Sequence, residues 1–321
     1  VYKRQVLVFD TTLTSETHEE LISGLKEKWG TDSATSKTSE TYTYTGISGD
    51  SHDIEVHFPD QELYPGERPC VVFFHGGGWS GGDLAQFRTM CKYFASRGMV
   101  SMTANYSMHT TETLEALPPG ESRKTICVID GKSVIRWAKE NAESLMIDTS
   151  RIVAGGASAG GHISVLSMMD EEHNNPADSL EVNTNVKAFL LFCPAFTLLE
   201  KDNTPEVNVF RHVNKTFPPT LFIVGETDGW EAASYTLADK LTNNESVLEY
   251  WMAYGEGHMF HRKDNWADVT TKKADEFLVS IGVLGGESDI TDPPTGEELV
   301  LINVDSAMGI MEYELNKQLI F

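Results

Sequence analysis

The chain has 321 residues, 40% of them hydrophobic and 23% charged. That apolar share can fill a sizeable core, which excludes wholesale disorder, and the length suits one large domain or two small ones. Lys and Arg number 25 against 48 Asp and Glu, a net charge of −23. So acidic a surface repels phosphate backbones and anionic lipid, and no nucleic-acid partner is expected. No stretch approaches the roughly 18 apolar residues of a spanning helix, so membrane insertion is not expected either.

The opening Val1-Tyr2-Lys3-Arg4-Gln5 resembles a translated transposase adapter and is set aside from the fold reasoning. Glu16 to Trp29 has Leu21, Ile22, Leu25 and Trp29 at helical spacing and is predicted as an amphipathic helix, followed by a polar linker over Gly30–Glu40. Tyr42–Thr45 and Asp53–Phe58 are predicted strands joined by a turn at Ser48-Gly49-Asp50. From there strands and helices alternate. Predicted strands are Cys70–Phe74, Val100–Ala104, Arg151–Ala154, Ala188–Phe192, Thr220–Val224 and Val247–Ala253. Predicted helices are Ala85–Ser96, Ser122–Glu143, Ile163–Met169, Glu231–Leu241 and Asp268–Ile281. Such alternation, with apolar runs like CVVFF, predicts an α/β fold: a mainly parallel sheet with helices on both faces. After Gly285-Gly286 the pattern breaks, leaving a possible strand at Leu299–Val304 and a short helix at Met311–Leu319. The expected organisation is therefore residues 1–41 as a leading segment and partial cap, 42–284 as the main domain and 285–321 as a tail without an assigned role.

Cys70, Cys91, Cys127 and Cys193 show no CxxC pair and no metal-ligand rhythm, so buried free thiols are expected. Gly156-Ala157-Ser158-Ala159-Gly160 reads G-x-S-x-G between a strand and a helix, the setting of a nucleophile elbow. Glycines on either side relieve the clashes of a sharp turn and leave Ser158 projecting at the helix amino terminus. His75-Gly76-Gly77-Gly78-Trp79 follows the buried strand CVVFF. Bare glycines there let backbone N–H groups face a developing oxyanion, and Gly76 or Gly77, with Ala159, are the candidate donors.

A serine needs a base. His258 follows the strand VLEYWMA in a glycine-bearing loop, at the same sheet edge as Ser158. His162 is expected to pack or cap, and a His258–His261 metal pair lacks a third ligand, so no metal is expected. Asp228, at the end of TLFIVGETD, is the expected acid, with Glu226 its competitor.

Gly155–Gly161, Asp148-Thr-Ser-Arg151-Ile-Val, Arg136-Trp137-Ala138-Lys-Glu-Asn141-Ala142, Gly257-His258 and HGGGW together resemble the α/β-hydrolase superfamily, in its hormone-sensitive-lipase-like esterase branch. The resemblance covers about Tyr42 to Leu284. It implies the α/β-hydrolase fold, Ser158 as nucleophile, His258 as base, Asp228 as acid, and an oxyanion hole from Gly76, Gly77 and Ala159, with no cofactor. Asp130 falls where relatives carry a structural acid. Tyr106-Ser107 stands where many have Tyr-Arg.

The stretch 193–219 leaves no room for a large inserted cap, so a fairly open site for small, short-acyl esters is expected. Trp79, Met108, Phe196 and Trp230 are candidate pocket walls. The alternatives are a carbohydrate esterase (acetyl xylan or feruloyl), an amidase or formamidase, and a non-catalytic binding module. The compartment is unassigned, the acidic balance fitting a secreted or periplasmic protein. Oligomeric state is unreadable.

Overall fold

The computed structural model describes residues 38–109, 122–242, 246–291 and 296–304. The chain divides into residues 1–37 and a unit running Thr38–Phe321. The helices expected at Glu16–Trp29 and Met311–Leu319 lie outside the described residues.

Among the described residues nine strands form one sheet in the order β1-β2-β4-β3-β5-β6-β7-β8-β9. They are β1 (Ser39–Thr45), β2 (Ser51–His57), β3 (Arg68–Phe74), β4 (Val100–Ala104), β5 (Ile147–Ala157), β6 (Ala188–Phe192), β7 (Thr220–Gly225), β8 (Leu248–Ala253) and β9 (Val300–Leu301). β4, β3, β5, β6, β7 and β8 run parallel. β1, β2 and β9 join antiparallel at the two edges. All parallel strands therefore end along one rim, where α/β folds place their ligands.

The sheet is covered on both faces, as its apolar runs require. Val71 and Phe73 point into one core, shared with Phe87 and Phe94 of α1 (Ala85–Ser96) and Phe277 of α6 (Asp264–Ser280). Cys70, Val72 and Phe74 point into the other. That second core takes Val128 from α2 (Arg123–Glu140), Ile163 from α4 (Ala159–Met169) and Leu237 from α5 (Glu231–Thr242). No described helix is long and apolar enough to cross a membrane.

Several bounds differ from expectation for local reasons. The Ser122 side chain caps α2 by accepting from Thr125 N–H at 3.1 Å, and the helix breaks at Asn141 before the short α3 (Ala142–Leu145). β5 runs on through Gly155 and Gly156 rather than stopping at Ala154. A Cβ on Gly155 would lie 2.7 Å from the Phe73 ring, so that glycine serves close packing within the ladder instead of a turn. Past the expected boundary at residue 284, β9 extends the sheet, and Leu299, Ile302 and Val304 are buried against the two cores. Arg97 pairs with Asp275 at 2.5 Å and donates to the Gly285 carbonyl at 3.2 Å, tying the start of this segment to α1 and α6.

Candidate active site

Ser158 sits between β5 and α4 with φ 53° and ψ −120°, a conformation strained for a side-chain-bearing residue. What holds it is the approach of the backbone on either side. A Cβ on Gly160 would lie 1.9 Å from the Phe74 carbonyl oxygen, and one on Gly156 would lie 2.5 Å from the Gly160 carbonyl. Ser158 N–H donates to the carbonyls of Phe192 and Cys193, both at 3.1 Å, which fastens the turn to the end of β6.

Asp228 follows β7 and His258 follows β8. His258 Nε2 lies 2.9 Å from Ser158 Oγ and His258 Nδ1 lies 2.8 Å from Asp228 Oδ2. The Asp228 side chain is 1% exposed and the His258 side chain 29%, so the acid is sealed and the imidazole faces the opening. The second carboxylate oxygen of Asp228 accepts from Trp230 N–H at 3.0 Å, and the Trp230 ring lies 4.7 Å from that of His258. Glu226, the competing acid, instead accepts from Gly255 N–H at 2.9 Å.

The loop after β3 is held from two sides, by Tyr106 and by Gln86. Tyr106 donates its hydroxyl to the His75 carbonyl at 2.7 Å and stacks on the His75 ring at 4.5 Å. His75 is buried and so orients the loop, its ring pushed toward neutrality by desolvation. Gln86, near the start of α1, bonds the backbone of Gly76 twice: its Oε1 accepts from Gly76 N–H and its Nε2 donates to Gly76 C=O, each at 2.9 Å. This corrects one expectation. Gly76 N–H is engaged by Gln86 and does not face the serine as a free donor. The N–H groups of Gly77, Gly78 and Ala159 have no partner among the described residues.

A cleft of about 340 Å³ opens above Ser158 and His258, walled by Gly77–Trp79, Ala195, Trp230, Met259 and Arg262. Of the four candidate walls, Trp79 and Trp230 line it. Phe196 and Met108 do not. Phe196 is fully buried beside Phe222, 6.4 Å between ring centroids, because the chain turns back into the core after Cys193 at φ 45°. Met108 packs, partly buried, on the same core. Gln86, Met259 and Arg262 escape a reading by motif. The one weak signal for Arg262 is a cation four positions past His258.

His162 packs, as expected. It bonds the Val207 carbonyl at 2.8 Å and receives Trp79 Nε1 at 3.4 Å, and burial lowers its pKa to about 4. Asp130 accepts from Ile47 N–H at 2.8 Å and Ser107 N–H at 2.7 Å, a structural role that its burial makes obligatory. Cys193, Asp228 and His258 offer donor atoms within 4.8 Å of one another, a set a metal would accept. Burial and the adjacent Asp228 push the Cys193 thiol up to about 12, while Asp228 and His258 are already engaged with each other and with Ser158.

Comparison with known proteins agrees with this architecture. The BD-FAE family profile matches residues 54–195. The chain is similar to carboxylesterase NlhH of Mycobacterium tuberculosis, 33% identical over 127 residues covering 39% of this chain and 35% of that protein. It is similar also to an AB hydrolase superfamily protein of Schizosaccharomyces pombe, 28% identical over 99 residues, 30% of this chain and 26% of the other. The chain thus spans only about a quarter to a third of the length of these curated relatives. Among solved structures, esterase 2 of Thermogutta terrifontis phosphorylated by paraoxon is 30% identical with a TM-score of 0.69, covering 78% of this chain and 97% of that one. Its butyrate-bound form matches at 29% identity, TM-score 0.69, with the same coverage. On fold, site geometry and this near-complete overlap with a solved esterase, the chain belongs to the α/β-hydrolase superfamily, in its esterase/lipase branch.

Proposed function

We propose that the chain hydrolyses small, short-acyl carboxylic esters through an acyl-enzyme formed on Ser158. The observation that carries this reading is the continuous line Ser158 Oγ, His258, Asp228 at 2.9 and 2.8 Å beside unpartnered backbone N–H groups. Ser158 Oγ attacks the ester carbonyl as His258 Nε2 takes its proton. Asp228 holds the Nδ1–H tautomer and balances the imidazolium. The N–H groups of Gly77 and Ala159, with Gly78 beside them, receive the oxyanion, where each donor is worth on the order of 10²–10³ in turnover. His258 then protonates the leaving alcohol. Water, activated by the same imidazole, attacks the acyl-enzyme, Ser158 is released, and a carboxylic acid leaves.

The short-acyl preference draws on the size of the cleft, about 340 Å³, and on the propionate- and butyrate-bound forms of the T. terrifontis esterase. The test is hydrolysis of p-nitrophenyl acetate by the wild type and by Ser158→Ala, expected to differ by more than about 10⁴-fold. Equal turnover would overturn the enzyme reading in favour of a binding module. A p-nitrophenyl series from acetate to palmitate is expected to peak at four carbons or fewer, and a maximum at palmitate would refute the short-acyl claim. Methyl ferulate or acetylated xylan turned over faster than aryl acetates would move the substrate to the carbohydrate esters.

A further inference from the structure

Arg262 stands in the wall of the cleft that holds Ser158 and His258. Its guanidinium is exposed and has no ion pair among the described residues. Arg68, which donates to the Tyr64 carbonyl, and Arg123 likewise hold no carboxylate among the described residues, but neither lines the cleft. Arg88, Arg97, Arg136, Arg151 and Arg211 each hold a carboxylate, as a chain with 48 acidic and 25 basic residues would lead one to expect. The adjacent Lys263 is drawn to Glu256, whose other oxygen accepts from Trp266 Nε1 at 3.0 Å, so that acid is fully engaged away from Arg262. Among the described residues no carboxylate lines the cleft.

The position is also built. Arg262 closes a single 3₁₀ turn, Phe260–Arg262, with its N–H donating to the Met259 carbonyl at 3.1 Å. Phe260 and His261 of that turn are buried, Phe260 edge-on to Trp266 at 5.0 Å, so the backbone beneath Arg262 is anchored while its side chain remains at the opening. A guanidinium fork matches a carboxylate in two parallel hydrogen bonds, and apolar walls strengthen that attraction by reducing screening. A net charge of −23 repels anionic substrates from most of this surface, which makes one unopposed cation beside the serine a local exception.

We propose that Arg262 selects esters carrying a second, ionised carboxylate: half-esters of dicarboxylic acids, or esters of hydroxy- or phenol-carboxylic acids. The inference rests on the ester-hydrolase reading and names its substrate class.

Two substrate pairs test it and tell the two sources apart. On the acyl side, monoethyl glutarate is compared with ethyl pentanoate. On the alcohol side, 4-acetoxybenzoate is compared with its methyl ester. Within the favoured pair, Arg262→Gln should lower the anionic-to-neutral ratio of kcat/KM by about 10-fold or more through KM, and Arg262→Lys should restore part of it. Arg262→Glu should lower the ratio further. Unchanged ratios in both pairs for Gln and Glu alike would overturn the assignment of Arg262. Failure of the ester-hydrolase reading would look different, as absence of wild-type turnover on p-nitrophenyl acetate as well as on both pairs.

Discussion

The side chain of Gln86 and the backbone of Gly76 form a closed two-bond ring, with N–H to Oε1 and Nε2–H to C=O both at 2.9 Å. Gly76 is also wedged against the elbow, since a Cβ there would meet Ser158 Cβ at 3.1 Å. On the proposed mechanism, Gln86 acts as a positioning residue for the neighbouring Gly77 and Gly78 amides. Gln86→Leu should lower kcat about tenfold on p-nitrophenyl acetate with KM changed less than about threefold, since the donors contribute mainly in the transition state. An equal fall in stability without a kcat change would reduce Gln86 to a structural role.

Gly160 has the least space of the elbow positions, with the Phe74 oxygen 1.9 Å and the His75 oxygen 2.7 Å from a Cβ placed there. Both obstacles are backbone, so neither side can give cheaply. Gly160→Ala should cost about 3 kcal/mol or more in urea unfolding, or prevent folding. Gly285→Ala, where nothing lies within 4 Å, should stay within about 1 kcal/mol of the wild type.

The acid of the site can be separated kinetically from its neighbour. Asp228→Asn keeps the shape but removes the charge that stabilises the imidazolium, and should lower kcat by about 10³–10⁴. Glu226→Gln alters only the group that receives Gly255 N–H, and should leave kcat within about threefold. A reversed order would move the acid to Glu226.

All four cysteines are free and buried. Burial pushes Cys70 and Cys91 up, Cys127 likewise, and Cys193 to about 12, so thiolate is scarce as well as inaccessible. Ellman's reagent should find almost no reactive thiol in the native protein at pH 8 and four in guanidinium.

Two buried histidines set a limit on acid stability. Burial, with the charge of Lys124, lowers His162 to about 4; burial, with Arg262 and His258, lowers His261 to about 3. Below the ordinary value near 6.5 the unfolded chain binds protons that the folded one refuses, until pH falls to the depressed values. Stability should therefore drop between about pH 6.5 and pH 3–4, by up to about 1.4 kcal/mol per pH unit for each ring. Urea unfolding at pH 7, 5.5 and 4.5 measures the slope. His261→Phe, placed among Phe87 and Phe192, should remove close to one proton from it.

Convergence on one rim was readable because Ser158, Asp228 and His258 each follow an apolar run, and parallel strands all end on the same side. Where a side chain turns after leaving a strand was not. Phe196 lies four residues beyond β6, and only the positive φ at Cys193 decides that it enters the core rather than the cleft. Gln86 belongs to a helix whose apolar face is evident, but its double bond to Gly76 depends on how α1 sits over the loop, which no spacing encodes. β9 was foreshadowed by Leu299–Val304, yet only a two-residue ladder forms, because Leu299 and Ile302 are taken up by opposite cores.

The nucleophile and its base are 100 residues apart along the chain, and the base and its acid 30. The strands that bring them together are neighbours in the middle and far half of the sheet, so the constellation cannot exist until β5 to β8 have all zipped into register. On the ester-hydrolase reading, turnover therefore requires the ladder to be complete through β8. A nascent chain truncated before Gly257 would be inert, and regained turnover after denaturation would count only molecules whose sheet is complete through β8.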